Sequence, residues 1–193
     1  MNLVAVLLAA GTATRFGSDK LLHALPHDVP IGIQAARHLS AVFEMNVLVV
    51  VRPEATALAD LFRKEGCVVV PCERAALGMG ASLACAVRAA PNAEGFVVAL
   101  ADMPFIRSST IAAVRDALAA GAPLVAPYFR ARRGHPVGLA AKFRRELEVL
   151  EGDEGARKII AAHEKSLLKI PVGDPGVLRD IDTPADLTPP AVV

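Results

Sequence analysis

Two cations, two aspartate-bearing segments and several small-residue loops carry the chemistry that can be read from this chain. The apolar run Leu3-Val4-Ala5-Val6-Leu7-Leu8 has strand length and opens into Ala9-Ala10-Gly11-Thr12-Ala13-Thr14-Arg15-Phe16-Gly17-Ser18-Asp19-Lys20. Small residues let backbone N–H groups approach a phosphate or a base. Arg15 can fork onto phosphate oxygens, and Lys20 brings a movable point charge. The alternative is an ordinary strand-to-loop turn with two solvated cations. Neither familiar phosphate loop fits. Gly11 and Gly17 do not make the dinucleotide fingerprint, and Lys20 does not adjoin Gly17 as a P-loop requires.

Phe96-Val97-Val98-Ala99-Leu100-Ala101-Asp102-Met103-Pro104 sets a carboxylate at the tip of a second apolar strand, with Pro104 fixing the turn beyond. Hard Mg²⁺ takes carboxylate oxygens and shares its other positions with phosphates and water, so Asp102 is a candidate metal ligand. Its alternative, an N-cap for the helix starting near Ser108, fits poorly because the two stand six residues apart. Gly78-Met79-Gly80-Ala81-Ser82-Leu83 feeds a helix N-terminus, where N–H groups attract anions or base carbonyls, or where Ser82 simply caps the helix. Arg130, Arg132 and Arg133 beside Gly134-His135-Pro136-Val137 suit a second anionic substrate, or form a solvated hairpin tip. In Asp180-Ile181-Asp182-Thr183-Pro184-Ala185-Asp186-Leu187, Thr183 reads as an N-cap, Pro184 as the first helical residue and Asp186 as its capping-box partner. That leaves Asp180 and Asp182 without a local role. Asp153 and Glu154 suit the first turn of another helix.

These residues need a frame. Val-rich runs at 46–51, 67–70, 95–100 and 124–126 alternate with helix-like stretches at 31–42, 54–64, 81–90 and 108–120. Strands without polar alternation are buried on both faces. The pattern predicts an α/β fold, a three-layer α/β/α sandwich on a mostly parallel sheet. Ligands in such folds sit beyond the carboxyl ends of the strands, where the 9–20 loop, the 78–82 loop and Asp102 all fall. The chain of 193 residues reads as one domain over residues 1–188 with a Pro-marked tail at 189–193.

With 53% hydrophobic residues, a net charge of +1, 4% aromatics and no Trp, neither a nucleic-acid nor a membrane-surface partner is expected. Cys67, Cys72 and Cys85 lack C-x-x-C spacing and read as small buried hydrophobes with reduced thiols. The apolar N-terminus has no preceding positive charge and is too short for a membrane span. Both features suggest a cytoplasmic protein.

The segment Leu8-Ala9-Ala10-Gly11 to Arg15, Gly17 and Lys20-Leu21-Leu22 has the form L-A-A-G-x-x-x-R-x-G-x-x-K-L-L. It resembles the opening of the MobA-like NTP transferases, the group of the molybdenum cofactor cytidylyl- and guanylyltransferases. G-M-G-x-S-L, D-x-P, G-H-P-V, G-D-x-G-A-R and D-I-D-T-P-x-D-L follow in the family's order, so the likeness spans the chain. It implies a Rossmann-like nucleotidyltransferase fold. In that scheme Arg15 and Lys20 hold the triphosphate, and the backbone around Ala9, Ala10 and Gly11 faces the base. Gly80 and Ser82 line the nucleotide pocket, while Asp102 and Asp182 hold Mg²⁺. His135 and Arg133 serve the acceptor, and Arg157 is a further acceptor contact. The A-A-G form resembles the cytidylyl members, and a bulkier Ala10 narrows the pocket against a purine, so CTP is favoured over GTP. The acceptor implied is a phosphorylated small molecule of the molybdopterin kind, with a molybdoenzyme as eventual recipient. Sugar-phosphate acceptors share the same motifs.

Two rival readings use the same fold. In an NAD(P)H-linked reductase, Arg52 at the end of the second strand would meet a 2′-phosphate, with no acidic residue there for a ribose diol. A non-catalytic cofactor chaperone would not need Lys20 and Asp102.

Overall fold

The computed structural model describes residues 1–11 and 20–187; Arg15, residue 188 and the 189–193 tail lie outside them. Its elements run β1 (Leu3–Leu8), α1 (Ile31–Phe43), β2 (Val47–Val51), α2 (Thr56–Lys64), β3 (Val68–Pro71), α3 (Met79–Ala89) and β4 (Gly95–Leu100). They continue with α4 (Ser108–Ala119), β5 (Leu124–Phe129), β6 (Arg132–Arg133), β7 (Val137–Ala140), α5 (Arg144–Glu148), α6 (Arg157–Ala162) and β8 (Leu167–Pro171).

The strands form one sheet in the order β3-β2-β1-β4-β7-β5-β6, with β8 alongside β5. β1 to β4 are mutually parallel, and β8 is parallel to β5. β7 is antiparallel to both β4 and β5, and the short β6 is antiparallel to β5, so the sheet is mostly parallel with two reversed strands. The return strand β7 is four residues long and carries Gly138, where a Cβ would press within 3.2 Å of Val114 and 3.3 Å of Val125. Such a short segment gives little periodic signal, which is why it is hard to read from sequence.

Alternation of side chains explains the layers. Along β1, Leu3, Ala5 and Leu7 enter one core with α1, α2 and α4, while Val4, Val6 and Leu8 enter the other with α3, α5 and α6. Every residue of β1 and β2 is buried. A period-2 strand with helices on both faces has no solvent side, so both faces must be apolar. This is the α/β/α sandwich the sequence predicts.

One expectation fails. Cys72 and Cys85 form a disulfide, with Cα atoms 6.1 Å apart, and only Cys67 remains a free, buried thiol. The physical reason is that the chain leaves β3 at Pro71, folds back through a short 3₁₀ turn and returns as α3. That route lays Cys85 over Cys72 although no sequence spacing announces it. The argument for reduced thiols falls with this pairing. Among the described residues, no helix is long and apolar enough to cross a membrane.

The strand order places a topological switch between β1 and β4, since the chain moves outward to β2 and β3 before returning to β4 on the other side of β1. Open α/β sheets bind ligands at such a point, beyond the strands' carboxyl ends.

Candidate active site

At that switch point Leu8 to Gly11 at the end of β1, and Leu100 and Asp102 at the end of β4, border a cleft of about 420 Å³. Ala9 N–H donates to Val50 O at 2.9 Å and Ala101 N–H to Leu8 O at 3.1 Å, so both strand ends stay in register to the rim. Ala9, Ala10 and Gly11 form one wall. Ala9 and Ala10 are buried, and a Cβ on Gly11 would meet nothing within 4 Å among the described residues.

Lys20 begins a 3₁₀ turn and is 9% exposed, its stem packed into the fold and its ammonium at the cleft. Nζ lies 3.0 Å from Asp102 Oδ2 and 3.4 Å from Asp182 Oδ1. Asp182 arrives there through the backbone: Ile181 N–H donates to Asp102 O at 2.9 Å, which lays the D-I-D segment along the tip of β4. Just beyond, Asp186 accepts from Thr183 Oγ1 and Thr183 N–H at 2.8 Å, the carboxylate half of the capping box, whereas Asp186 N–H goes to Thr183 O at 3.0 Å and not to the hydroxyl. The Thr183 hydroxyl, with neighbouring backbone N–H groups, holds the Asp186 carboxyl below its ordinary range. The terminal turn is thus fixed by Asp186, and Asp182 faces the cleft.

The opposite wall comes from the chain between β3 and α3. Gly78 has φ +106°, and a Cβ there would overlap Gly152, so only glycine fits. Gly80 N–H donates to Gly152 O at 2.7 Å, and a Cβ on Gly80 would stand 2.7 Å from Glu151 O. Gly80 therefore turns toward the 151–153 turn, whereas Gly78, Met79 and Ser82 line the cleft. The Ser82 hydroxyl is 3.5 Å from Gly78 O, a weak bond back along the helix, so Ser82 sits one turn inside α3 and is no N-cap.

Two acidic residues are placed differently from expectation. Helix α6 starts at Arg157, with no acidic residue in its first turn; Gly152 at φ +72° and Gly155 at φ +51° hold 152–156 in a tight turn instead. Asp153 consequently lines the cleft, and Arg157 is exposed away from it. Glu54 also lines the cleft, 3.7 Å from Arg52, so a carboxylate does stand at the end of the second strand. Arg52, the residue that the reductase reading assigned to a 2′-phosphate, also contacts Gly11 O through Nη2 at 3.5 Å, which turns it toward the end of β1.

The sequence of residues 5–167 matches the MobA-like NTP transferase domain. The chain belongs to this family. It is 31% identical to the purine catabolism protein PucB of Bacillus subtilis (strain 168) over 197 aligned residues, covering 95% of this chain and 93% of the relative. The crystal structure of Rv0371c from Mycobacterium tuberculosis H37Rv superposes with a TM-score of 0.83 at 26% identity, covering 96% of this chain and 94% of that one. Its manganese complex superposes at 0.78 with 25% identity, covering 96% of each chain. Molybdopterin-guanine dinucleotide biosynthesis protein A from Archaeoglobus fulgidus shares the fold at a TM-score of 0.68 and 20% identity, covering 95% of this chain and 94% of that one. The protein is thus a nucleotidyltransferase of the MobA-like family.

A divalent metal fits the donor set of this transferase. Asp102 and Asp182 point carboxylate oxygens at one ammonium, so they already converge on a single cation position. Among the described residues no three His, Cys, Asp or Glu side chains form a metal cage. Two hard carboxylates without a cage suit an ion whose remaining positions come from phosphate oxygens and water.

The residues expected to serve an acceptor, Arg133, His135 and Arg157, lie outside the lining of the cleft. Arg130 and Ala131 take φ +48° and +62° at the tip of the β5–β6 hairpin, and Arg132 and Arg133 are exposed on its return. The hairpin reading of this turn is therefore correct as geometry. His135 is different. It falls in the interruption between β6 and β7, its N–H donates to Val177 O at 2.9 Å, and its Nδ1 is buried without a partner among the described residues. Burial pushes the His135 imidazole below its usual range; the Val98 carbonyl opposes that shift, Arg133 adds to it and Asp102 opposes it. Arg133 and Asp102 thus act on the His135 imidazole in opposite senses.

Proposed function

We propose that this transferase moves CMP from CTP to a phosphate monoester of the molybdopterin kind, releasing pyrophosphate. The observation that carries the reading is the convergence of Lys20, Asp102 and Asp182 at the mouth of the switch-point cleft. An acceptor phosphate oxygen attacks the α-phosphorus. The bond from that phosphorus to the bridging oxygen breaks, and pyrophosphate leaves with the electron pair. A phosphate nucleophile is already ionised at neutral pH, so no general base is needed and catalysis reduces to alignment and charge neutralisation.

Bound Mg²⁺ would supply positive charge between the phosphates and the two aspartates. Asp102 and Asp182 would hold it; Lys20, released from their shared contact, and Arg15 would then meet the triphosphate. Ala9, Ala10 and Gly11 offer the base a backbone edge, and the Ala10 methyl group narrows the space on the purine side. Ser82, Met79 and the Gly78 turn close the opposite wall, with Gly80 holding that turn against residues 151–153. Arg133 and His135 would grip the acceptor phosphate. The single-domain extent over residues 1–188 and a cytoplasmic site of action belong to the same reading, with a recipient molybdoenzyme as partner.

The Archaeoglobus neighbour is a molybdopterin-guanine dinucleotide biosynthesis protein, so a pterin phosphate is the first acceptor to test. Pyrophosphate release is measured with each NTP, with and without the molybdopterin acceptor, and with Mg²⁺ or Mn²⁺. Turnover with CTP and this acceptor is expected. Turnover only with a sugar phosphate would replace the acceptor, and no pyrophosphate with any NTP would overturn the reaction.

A further inference from the structure

Asp174 is buried, 2% exposed, and none of the chemistry above uses it. Its Oδ2 accepts from Arg107 N–H at 2.9 Å and from Thr110 Oγ1 at 2.7 Å; its Oδ1 accepts from Gly176 N–H at 3.0 Å. Arg107 and Thr110 belong to the start of α4, which has no side-chain cap of its own, and Gly176 belongs to the 3₁₀ turn Pro175–Leu178. One carboxylate therefore ties the chain after β8 to the helix after β4.

The segment tied in this way is the strap that leads to Asp182. Two close approaches thread it: a Cβ on Gly176 would overlap Phe105 O, and a Cβ on Gly134 would overlap Val177. Two backbone bonds then hand its position to the site. Val177 O accepts from His135 N–H at 2.9 Å, and Ile181 N–H donates to Asp102 O at 2.9 Å. The strap thus touches His135 on one side and delivers Asp182 beside Asp102 on the other.

We propose that Asp174 is a positioning residue for the transferase centre: by pinning the strap to α4 it sets where Asp182 and His135 stand relative to Asp102. The proposal rests on the reading of Asp102 and Asp182 as the metal carboxylates. Its physical content is that a carboxylate placed by a strap is only as well placed as the strap's anchor. Ligand geometry loosened by loss of a supporting hydrogen bond typically costs about ten- to a hundredfold in metal affinity.

The test uses the intact chain and the metal alone as probe, with free Mn²⁺ followed by electron paramagnetic resonance during titration. Asp174→Ala is expected to weaken Mn²⁺ binding by about tenfold or more, while metal-free CTP affinity, carried by the walls built from β1 and α3, stays at the wild-type value. Thr110→Val removes one of the three anchors and should give a smaller loss in the same direction; it decides the question if Asp174→Ala does not fold. Ile160→Ala, in the core of the opposite face, supplies a comparable loss of melting temperature without touching the strap, and should leave Mn²⁺ affinity intact. Equal weakening by Ile160→Ala would mark general destabilisation and overturn the proposal. Asp182→Asn and Asp102→Asn separate the two readings. If they weaken Mn²⁺ binding while neither Asp174→Ala nor Thr110→Val does, the positioning role alone is overturned; if they leave it unchanged, the metal reading falls and the positioning role with it.

Discussion

Two acidic clusters stand at opposite ends of the same strap and are built in opposite ways. At Asp174 a nearly enclosed carboxylate accepts three bonds of 2.7–3.0 Å, from two backbone N–H groups and a hydroxyl. At Asp182 and Asp102 the side chains are 49% and 27% exposed, and they share one ammonium at 3.4 and 3.0 Å on the rim of a cleft. The buried carboxylate is satisfied by fixed donors and has no position left for a ligand. The more exposed pair shares the Lys20 ammonium at the cleft rim, where a metal and a triphosphate could take its place. Stability and chemistry are thus divided along eight residues of chain, and substitutions should separate them.

The largest expected effect is at Asp102. Asp102→Ala should lower turnover by at least about a thousandfold, roughly 4 kcal/mol of barrier, with the melting temperature close to wild type. Activity within about tenfold would remove Asp102 from the mechanism. Asp174→Ala should invert the balance of costs. It leaves two buried donors and a part-buried one unpaired, at about 1–3 kcal/mol for each buried donor, so calorimetry should register a loss of at least about 2 kcal/mol. A variant of Asp174 that melts with the wild type would erase the distinction between the two clusters.

The residues proposed to meet the nucleotide could be singled out in sequence because they are local. Ala9 to Gly11 follow β1, Gly78 to Ser82 open α3, and Asp102 follows β4, so each is placed by the element beside it. Thr183, Pro184 and Asp186 were legible for the same reason, as a cap is read from adjacent residues. What stayed hidden depends on contacts distant in sequence. Asp174 meets Arg107 and Thr110 across 64 or more residues, and nothing near Asp174 announces them. The Cys72–Cys85 disulfide needs the turn between β3 and α3. Asp153 reads as a helix-starting residue until Gly152 and Gly155 are seen to hold a tight turn. The antiparallel β7, four residues between two longer strands, was lost because its pairing partners define it more than its own composition does.

The acceptor side sharpens the comparison at a smaller scale, because Arg133 is exposed while His135 is tied to the strap. Arg133→Ala combined with His135→Ala should weaken acceptor binding by about ten- to hundredfold, the worth of a lost charged hydrogen bond, and leave NTP binding unchanged. Titrating NTP and acceptor separately against the double variant checks this. Unchanged acceptor affinity would return the turn to a solvated hairpin tip. At the base wall, CTP should exceed GTP in kcat/KM by at least about tenfold, or 1.4 kcal/mol, and Ala10→Gly should narrow that gap. Equal use of both nucleotides would remove the cytidylyl assignment and leave the transferase one standing.

The smallest effect concerns pH, and it separates the two sides of the strap by their histidines. Burial lowers the imidazole of His135, and it lowers that of His38 on α1 against the opposing Ile106 carbonyl and Asp174. A histidine depressed in the folded state favours folding in its neutral form. Its contribution is therefore complete above the ordinary value of 6.5 and is lost as pH falls through the lower folded value. Asp186 is also depressed, but from 3.8, so its loss comes in a more acidic window. Between neutrality and mildly acidic pH the two histidines should dominate, with a slope of at most about 1.4 kcal/mol per pH unit for each. Denaturant unfolding across that range should show stability falling with pH, and His38→Asn and His135→Asn should each flatten part of the slope. If His135→Asn leaves the slope unchanged while His38→Asn flattens it, the His135 imidazole already exchanges protons with solvent in the folded protein, and the buried environment assigned to it is wrong.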